Sequence, residues 1–165
     1  MLDNYSPSNM ITVSRTVRFC AAHRLCNPAW SPAENRRVYG RCSNPGGHGH
    51  NYTLTVTVCG PHDPATGMVV NVSALGAVLE REVVAHLDHR DLNHDVDFLA
   101  GTITTMENLA AILAARLGPP LAALGVKLTA LELAESDYNR AWLIAKLGHR
   151  SPLQARNDYA TLPAA

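Results

Sequence analysis

The chain has 165 residues, of which 47% are hydrophobic, and its 14 basic side chains balance its 14 acidic ones. That length fits one domain with a core of its own, and a net charge of zero offers no field to recruit nucleic acid or an anionic membrane. No apolar run approaches the roughly 20 residues that span a bilayer, and the opening MLDNYSPSNM lacks the basic start and hydrophobic run of a signal peptide. Cys20, Cys26, Cys42 and Cys59 then read as reduced thiols. The expectation is a cytoplasmic protein with no nucleic-acid and no membrane partner.

Residues 1–10 are expected to form a flexible arm, 11–148 one domain, and 149–165 a loose tail. From Ile11 to His23 the odd positions are apolar except Arg15, which predicts a strand whose inward row ends in His23. Ser31, Pro32 and Glu34 suit the start of a short helix, as cap, first turn and third helical position. A second strand is predicted from His50 to about Cys59, followed by the turn GPHDPATG. Leu75, Val78, Leu79, Val83 and Leu87 recur at helical spacing, as do Leu109, Ile112, Leu113 and Leu117; the latter helix is expected to stop at Gly118 before Pro119. Val126–Glu135 reads as a strand whose alternation slips near Ala130, the mark of a bulge, with Tyr138–Lys146 as its hairpin partner. Strand, strand, helix, helix, strand, strand predicts an α+β fold with helices on one face of a four-stranded antiparallel sheet. Open sheet edges would favour association between chains.

Two histidines two apart on a strand share one face, so His48 and His50 project together, ahead of Tyr52, Leu54, Val56 and Val58. If the first two strands pair, His23 joins them, and three imidazoles with an open fourth position suit a catalytic zinc ion. Strand parity puts Cys20 and Cys26 on the other side and removes them as ligands. Cys42, six residues before His48, is either a chance loop thiol or a nucleophile or base activated by a nearby cation. Asp88 beside His89 can fix an imidazole tautomer for proton transfer, or can reflect helix-end electrostatics. Thr104 to Glu107 matches a capping box, with Glu107 folding back on Thr104. Glu135 is either hairpin decoration or an acceptor for the N–H groups of a heterocycle.

FCAAHRL, YGRCSNPGGHGHNY, DPATGMVVNVSAL, LDHRDLN, TTMEN and AES follow one another across residues 11–146. In order and spacing they resemble the 6-pyruvoyltetrahydropterin synthase family. The resemblance implies the tunnelling fold: two helices packed on a four-stranded antiparallel sheet, with chains associating into barrels, usually a homohexamer of two trimers with active sites at subunit interfaces. It implies zinc on His23, His48 and His50, Cys42 as catalytic base, Asp88 and His89 as proton relay, and Glu135 as anchor of the pterin ring, with Thr105 and Glu107 lining the same pocket. The implied reaction is a zinc-dependent lyase step from 7,8-dihydroneopterin triphosphate to 6-pyruvoyltetrahydropterin with release of triphosphate. The related 6-carboxytetrahydropterin synthase branch, which serves queuosine synthesis, typically spaces the cysteine four residues before the first histidine; six here favours the pyruvoyl branch over that branch or a dual-activity relative. A non-catalytic pterin- or zinc-binding oligomer would need neither Cys42 nor the Asp88–His89 pair. Met106 departs from the second threonine common in the animal enzymes, and Cys26 and His94 match no family role.

Overall fold

The computed structural model describes residues 11–136. In chain order it contains β1 (Thr12–His23), α1 (Pro32–Tyr39), a 3₁₀ turn (Gly40–Ser43), β2 (His48–Cys59) and α2 (Val72–Leu79). A π-helical segment (Glu80–Val84) joins α2 to α3 (Ala85–Leu87); β3 (Arg90–Asp91), a second 3₁₀ turn (Asp97–Leu99), α4 (Met106–Ala123) and β4 (Lys127–Glu135) follow.

The α+β class is as expected, and the sheet among the described residues has four strands in the order β3-β1-β2-β4. It is mixed rather than antiparallel. β1–β2 and β2–β4 are antiparallel, while the two-residue β3 runs parallel to β1 at Ala21 and Ala22. So short an element carries no periodicity to read; it forms because the chain leaving α3 lies along the end of β1, with Leu92 N–H donating to the Ala22 carbonyl at 2.8 Å. The predicted strand at 138–146 lies outside the described residues.

The apolar row of the sheet, Phe19, Tyr52, Leu54, Val56 and Val58, meets Leu75, Leu79, Val83 and Leu87 from α2–α3 and Leu109, Leu113, Leu117 and Leu121 from α4 in one buried cluster. Arg15, the polar break in the inward row, keeps its guanidinium against Gly76 of α2, where a Cβ would stand 3.5 Å from its Nε. The predicted bulge is present: Thr57 pairs with Ala130 but Val58 pairs with Leu128, which leaves Thr129 as the extra residue. On the solvent face Ser14–Thr57 and Thr16–Thr55 hydroxyls pair across β1 and β2 at 2.8 and 2.9 Å.

Two helix boundaries differ from expectation. Ser31 caps α1 as predicted, accepting from Glu34 N–H at 3.1 Å. α4, however, starts one residue later than the capping box implied: Thr105 is the cap and accepts from Asn108 N–H, so Glu107 does not fold back on Thr104. The same helix runs past Gly118 through Pro119 and Pro120 to Ala123. Leu121 extends the stripe of Leu109, Leu113 and Leu117 and is fully buried. Burying one leucine contributes about 1.5–3 kcal/mol, which offsets part of the usual cost of about 3 kcal/mol for each of the two prolines in a helix. No described helix is long and apolar enough to cross a membrane.

Candidate metal centre and ligand cavity

The β1–β2 register places His23 directly opposite His48 and sets His50 opposite Ala21, whose small side chain leaves room for the ring. All three imidazoles are buried, at 3, 6 and 3% exposure for His23, His48 and His50. His23 Nε2 lies 3.1 Å from His48 Nε2, and one ring nitrogen from each histidine lies within 4.8 Å of the others. An ion with nitrogen ligands at about 2 Å holds tetrahedral neighbours roughly 3.3 Å apart, so small rotations of these rings suffice to receive one.

Main-chain carbonyls orient two of the rings. His23 Nδ1 donates to the Thr104 carbonyl at 3.0 Å and His50 Nδ1 donates to the Ser136 carbonyl at 2.7 Å. A carbonyl only accepts, so each Nδ1 carries the proton and each Nε2 turns its lone pair inward, the usual support of a metal-ligating imidazole. Burial and neighbouring histidines lower His23 to about 4 and His48 to about 3, so both stay neutral at ordinary pH, as ligation requires. Donor type, tautomer and spacing therefore fit zinc. Cys20 is not part of the cluster; its thiol donates to Asn51 Oδ1 on the opposite face, as parity predicted.

Cys42 lies half-buried in the 3₁₀ turn after α1. The turn is fastened to the end of β1: Leu25 N–H donates to the Cys42 carbonyl at 2.8 Å and Arg24 Nε to the Ser43 carbonyl at 2.9 Å. Asn93 brackets Arg24, accepting from its N–H at 2.6 Å and donating to its carbonyl at 3.1 Å. Burial, then the Glu135 carboxylate, push the Cys42 thiol up, so the thiolate needs a compensating cation nearby.

Asp88 and His89 are in contact, with Oδ2 and Nδ1 2.8 Å apart. The other oxygen, Oδ1, accepts from Cys20 N–H at 2.8 Å. His89 has a φ of 58° and donates its own N–H to the Cys20 carbonyl at 2.6 Å. This left-handed residue follows the cap of α3, and its imidazole is 73% exposed. Asp88, His89, Tyr52 and Glu135 line a common cavity of about 640 Å³. Glu135 stands opposite Tyr52 in the β2–β4 register, its Oε2 3.9 Å from His50 Nε2. Thr105 and Glu107 do not line the cavity; Thr105 spends its hydroxyl on the cap, and Glu107 is exposed in the first turn of α4.

Residue-type reasoning missed Thr104 and Ser136, because both act through main-chain carbonyls that any residue possesses. Asn93 and Tyr52 were inside recognised motifs, LDHRDLN and GHGHNY, but only the fold gives them partners.

A sheet-and-helix domain with three inward histidines at one strand end defines a class, and the family model for 6-pyruvoyl tetrahydropterin synthase matches residues 12–145. The chain belongs to this family of lyases. Among its relatives, the 6-pyruvoyl tetrahydrobiopterin synthases of Homo sapiens and Drosophila melanogaster are 47% and 48% identical over 98 residues, 59% of this chain and 68% and 58% of theirs. The solved 6-pyruvoyl tetrahydropterin synthase of Caenorhabditis elegans superposes with a TM-score of 0.66 at 32% identity, covering 78% of this chain and 97% of that one.

Proposed function

We propose that the chain is a zinc-dependent synthase that converts 7,8-dihydroneopterin triphosphate to 6-pyruvoyltetrahydropterin and releases triphosphate. The observation that carries this reading is the convergence of His23, His48 and His50 beside Glu135 at the mouth of β2. Zinc bound by the three histidines supplies Lewis acidity toward the substrate's side-chain hydroxyls and makes the adjacent C–H bonds more acidic.

The chain's own residues do the rest. Glu135 accepts the N–H groups of the pterin ring and fixes the register of the side chain over the histidines. Cys42, as thiolate, takes a proton from side-chain carbon. Asp88 holds Nδ1 of His89, which leaves Nε2 to remove or return a proton at a substrate oxygen or carbon. The side chain becomes oxidised as the ring becomes reduced, so no external oxidant is consumed.

His89 projects outward and works in a site completed by a neighbouring subunit. The outer edge of β1 before Ala21 has no strand partner among the described residues, which supports closure of barrels through sheet edges, in a cytoplasmic homohexamer of two trimers. Mass spectrometry of products from 7,8-dihydroneopterin triphosphate tests the reaction. The pyruvoyl product with triphosphate is expected. A carboxy product would instead place the chain in the 6-carboxytetrahydropterin branch, pterin binding without turnover would make it a binder, and undiminished turnover in Cys42→Ala would remove the thiol from the mechanism.

A further inference from the structure

Tyr52 is 1% exposed, and its hydroxyl has no partner in hydrogen-bond geometry among the described residues. An uncompensated buried hydroxyl is costly, and a phenylalanine would occupy the same space without that cost. The ring itself is well placed: it stacks on Phe19 at 4.9 Å and meets His50 and His23 edge-on at 5.9 and 6.4 Å. The Glu135 carboxylate lies near the phenol, which is an O–H donor at ordinary pH. Glu135 is also its partner across the β2–β4 register.

A carboxylate in this position has two possible uses. With Oε2 3.9 Å from His50 Nε2, Glu135 stands close enough to become a fourth ligand on an ion held by the histidines, which would close the position a substrate needs. Turned the other way, it faces the cavity and accepts from paired N–H donors. Main-chain contacts do not decide between these orientations, because the carboxylate rotates about its own side-chain bonds.

We propose that Tyr52 is the positioning residue of Glu135: its O–H donates to one carboxylate oxygen in the ligand-bound state, turning the acid toward the cavity and away from the histidine nitrogens. This rests on the reading of Glu135 as the ligand anchor. With one oxygen held by Tyr52, the remaining lone pairs face a planar, two-donor edge, the chemistry of a 2-amino-4-oxo heterocycle. The hydroxyl acts through Glu135 and does not touch the reacting atoms.

The test compares Tyr52→Phe with Glu135→Gln in the zinc-loaded full chain, measuring zinc content, thermal midpoint, and affinity for 7,8-dihydroneopterin by fluorescence titration. For Tyr52→Phe the expected result is unchanged zinc content, an equal or higher thermal midpoint without ligand, and affinity weakened about tenfold, which corresponds to about 1.4 kcal/mol. A residue that only supported the fold would lower the midpoint. Unchanged affinity in Tyr52→Phe alongside weakened binding in Glu135→Gln would overturn the positioning role while leaving the anchor in place. Unchanged affinity in both variants would overturn the anchor as well. Lost zinc or a lowered midpoint in Tyr52→Phe would assign the hydroxyl to the metal site or to the core instead.

Discussion

Gly47 precedes the first histidine of β2 and has a φ of +64°, with its missing Cβ directed at the His23 carbonyl oxygen, 3.1 Å away. Gly47→Ala therefore meets two penalties. A left-handed conformation costs an L-residue about 1–2 kcal/mol, and the new methyl presses on backbone rather than on a side chain that could swing aside. That carbonyl belongs to a metal-ligand residue opposite His48, so relief of the contact displaces the two imidazoles relative to each other. We expect urea unfolding of the zinc-free protein to show a loss of about 2 kcal/mol, with zinc affinity reduced about tenfold, the lower end of what disturbing the support of a ligand usually costs. Gly46→Ala is the control, because nothing lies within 4 Å of its added Cβ and its φ is not positive. That variant should be neutral or stabilised by about 0.4–1 kcal/mol through the unfolded chain. Equal stability and equal zinc affinity in the two variants would refute the argument that the glycine-rich loop sets the spacing of the histidines.

Stability of the metal-free protein should depend on pH through the buried imidazoles. His23 and His48 titrate at about 4 and about 3 when folded against an ordinary 6.5. Between those values the unfolded chain binds more protons, so their contribution is complete above pH 6.5 and is lost as pH falls toward 4. Urea midpoints taken across that range should decline, and His48→Asn should flatten the decline; a flat profile in the unsubstituted chain would contradict buried neutral histidines. Leu121→Ala should cost about 2–5 kcal/mol in urea unfolding, because the side chain is fully buried and carries α4 past its two prolines. A loss near zero would mean that α4 ends before Pro119.

Parity and periodicity made most of this legible from sequence. The inward row of β1 led to His23, the GHGH spacing led to His48 and His50, and the slip near Ala130 marked a real bulge at Thr129. What escaped was set by contacts between distant segments. β3 exists because α3 delivers Arg90 and Asp91 alongside β1. The π-helical segment at Glu80–Val84 leaves no composition signal, although Arg116 fastens it from α4 by donating to the Glu82 carbonyl at 2.8 Å and pairing with its carboxylate at 3.0 Å. Local chemistry misplaced the start of α4, since Thr104 and Thr105 are equally good caps in isolation; Thr104 is instead buried, with its carbonyl on His23. Local chemistry also ended α4 too early, because the buried leucine stripe continues to Leu121, beyond the two prolines. Glu135 could be named from its resemblance to a pterin anchor, but its relation to Tyr52 and His50 required the β2–β4 register.

The central claim is that three histidines on a preformed strand pair hold one zinc that serves chemistry rather than folding. A domain of this size with its own leucine-rich core does not need metal to fold. The direct measurement strips the protein with a chelator, follows its circular dichroism, and then titrates zinc back while recording triphosphate release. The account predicts retained secondary structure after stripping, loss of turnover, and full recovery at one zinc per chain, with no recovery in His48→Ala. Unfolding on chelation, turnover independent of zinc, or full zinc binding by His48→Ala would contradict it.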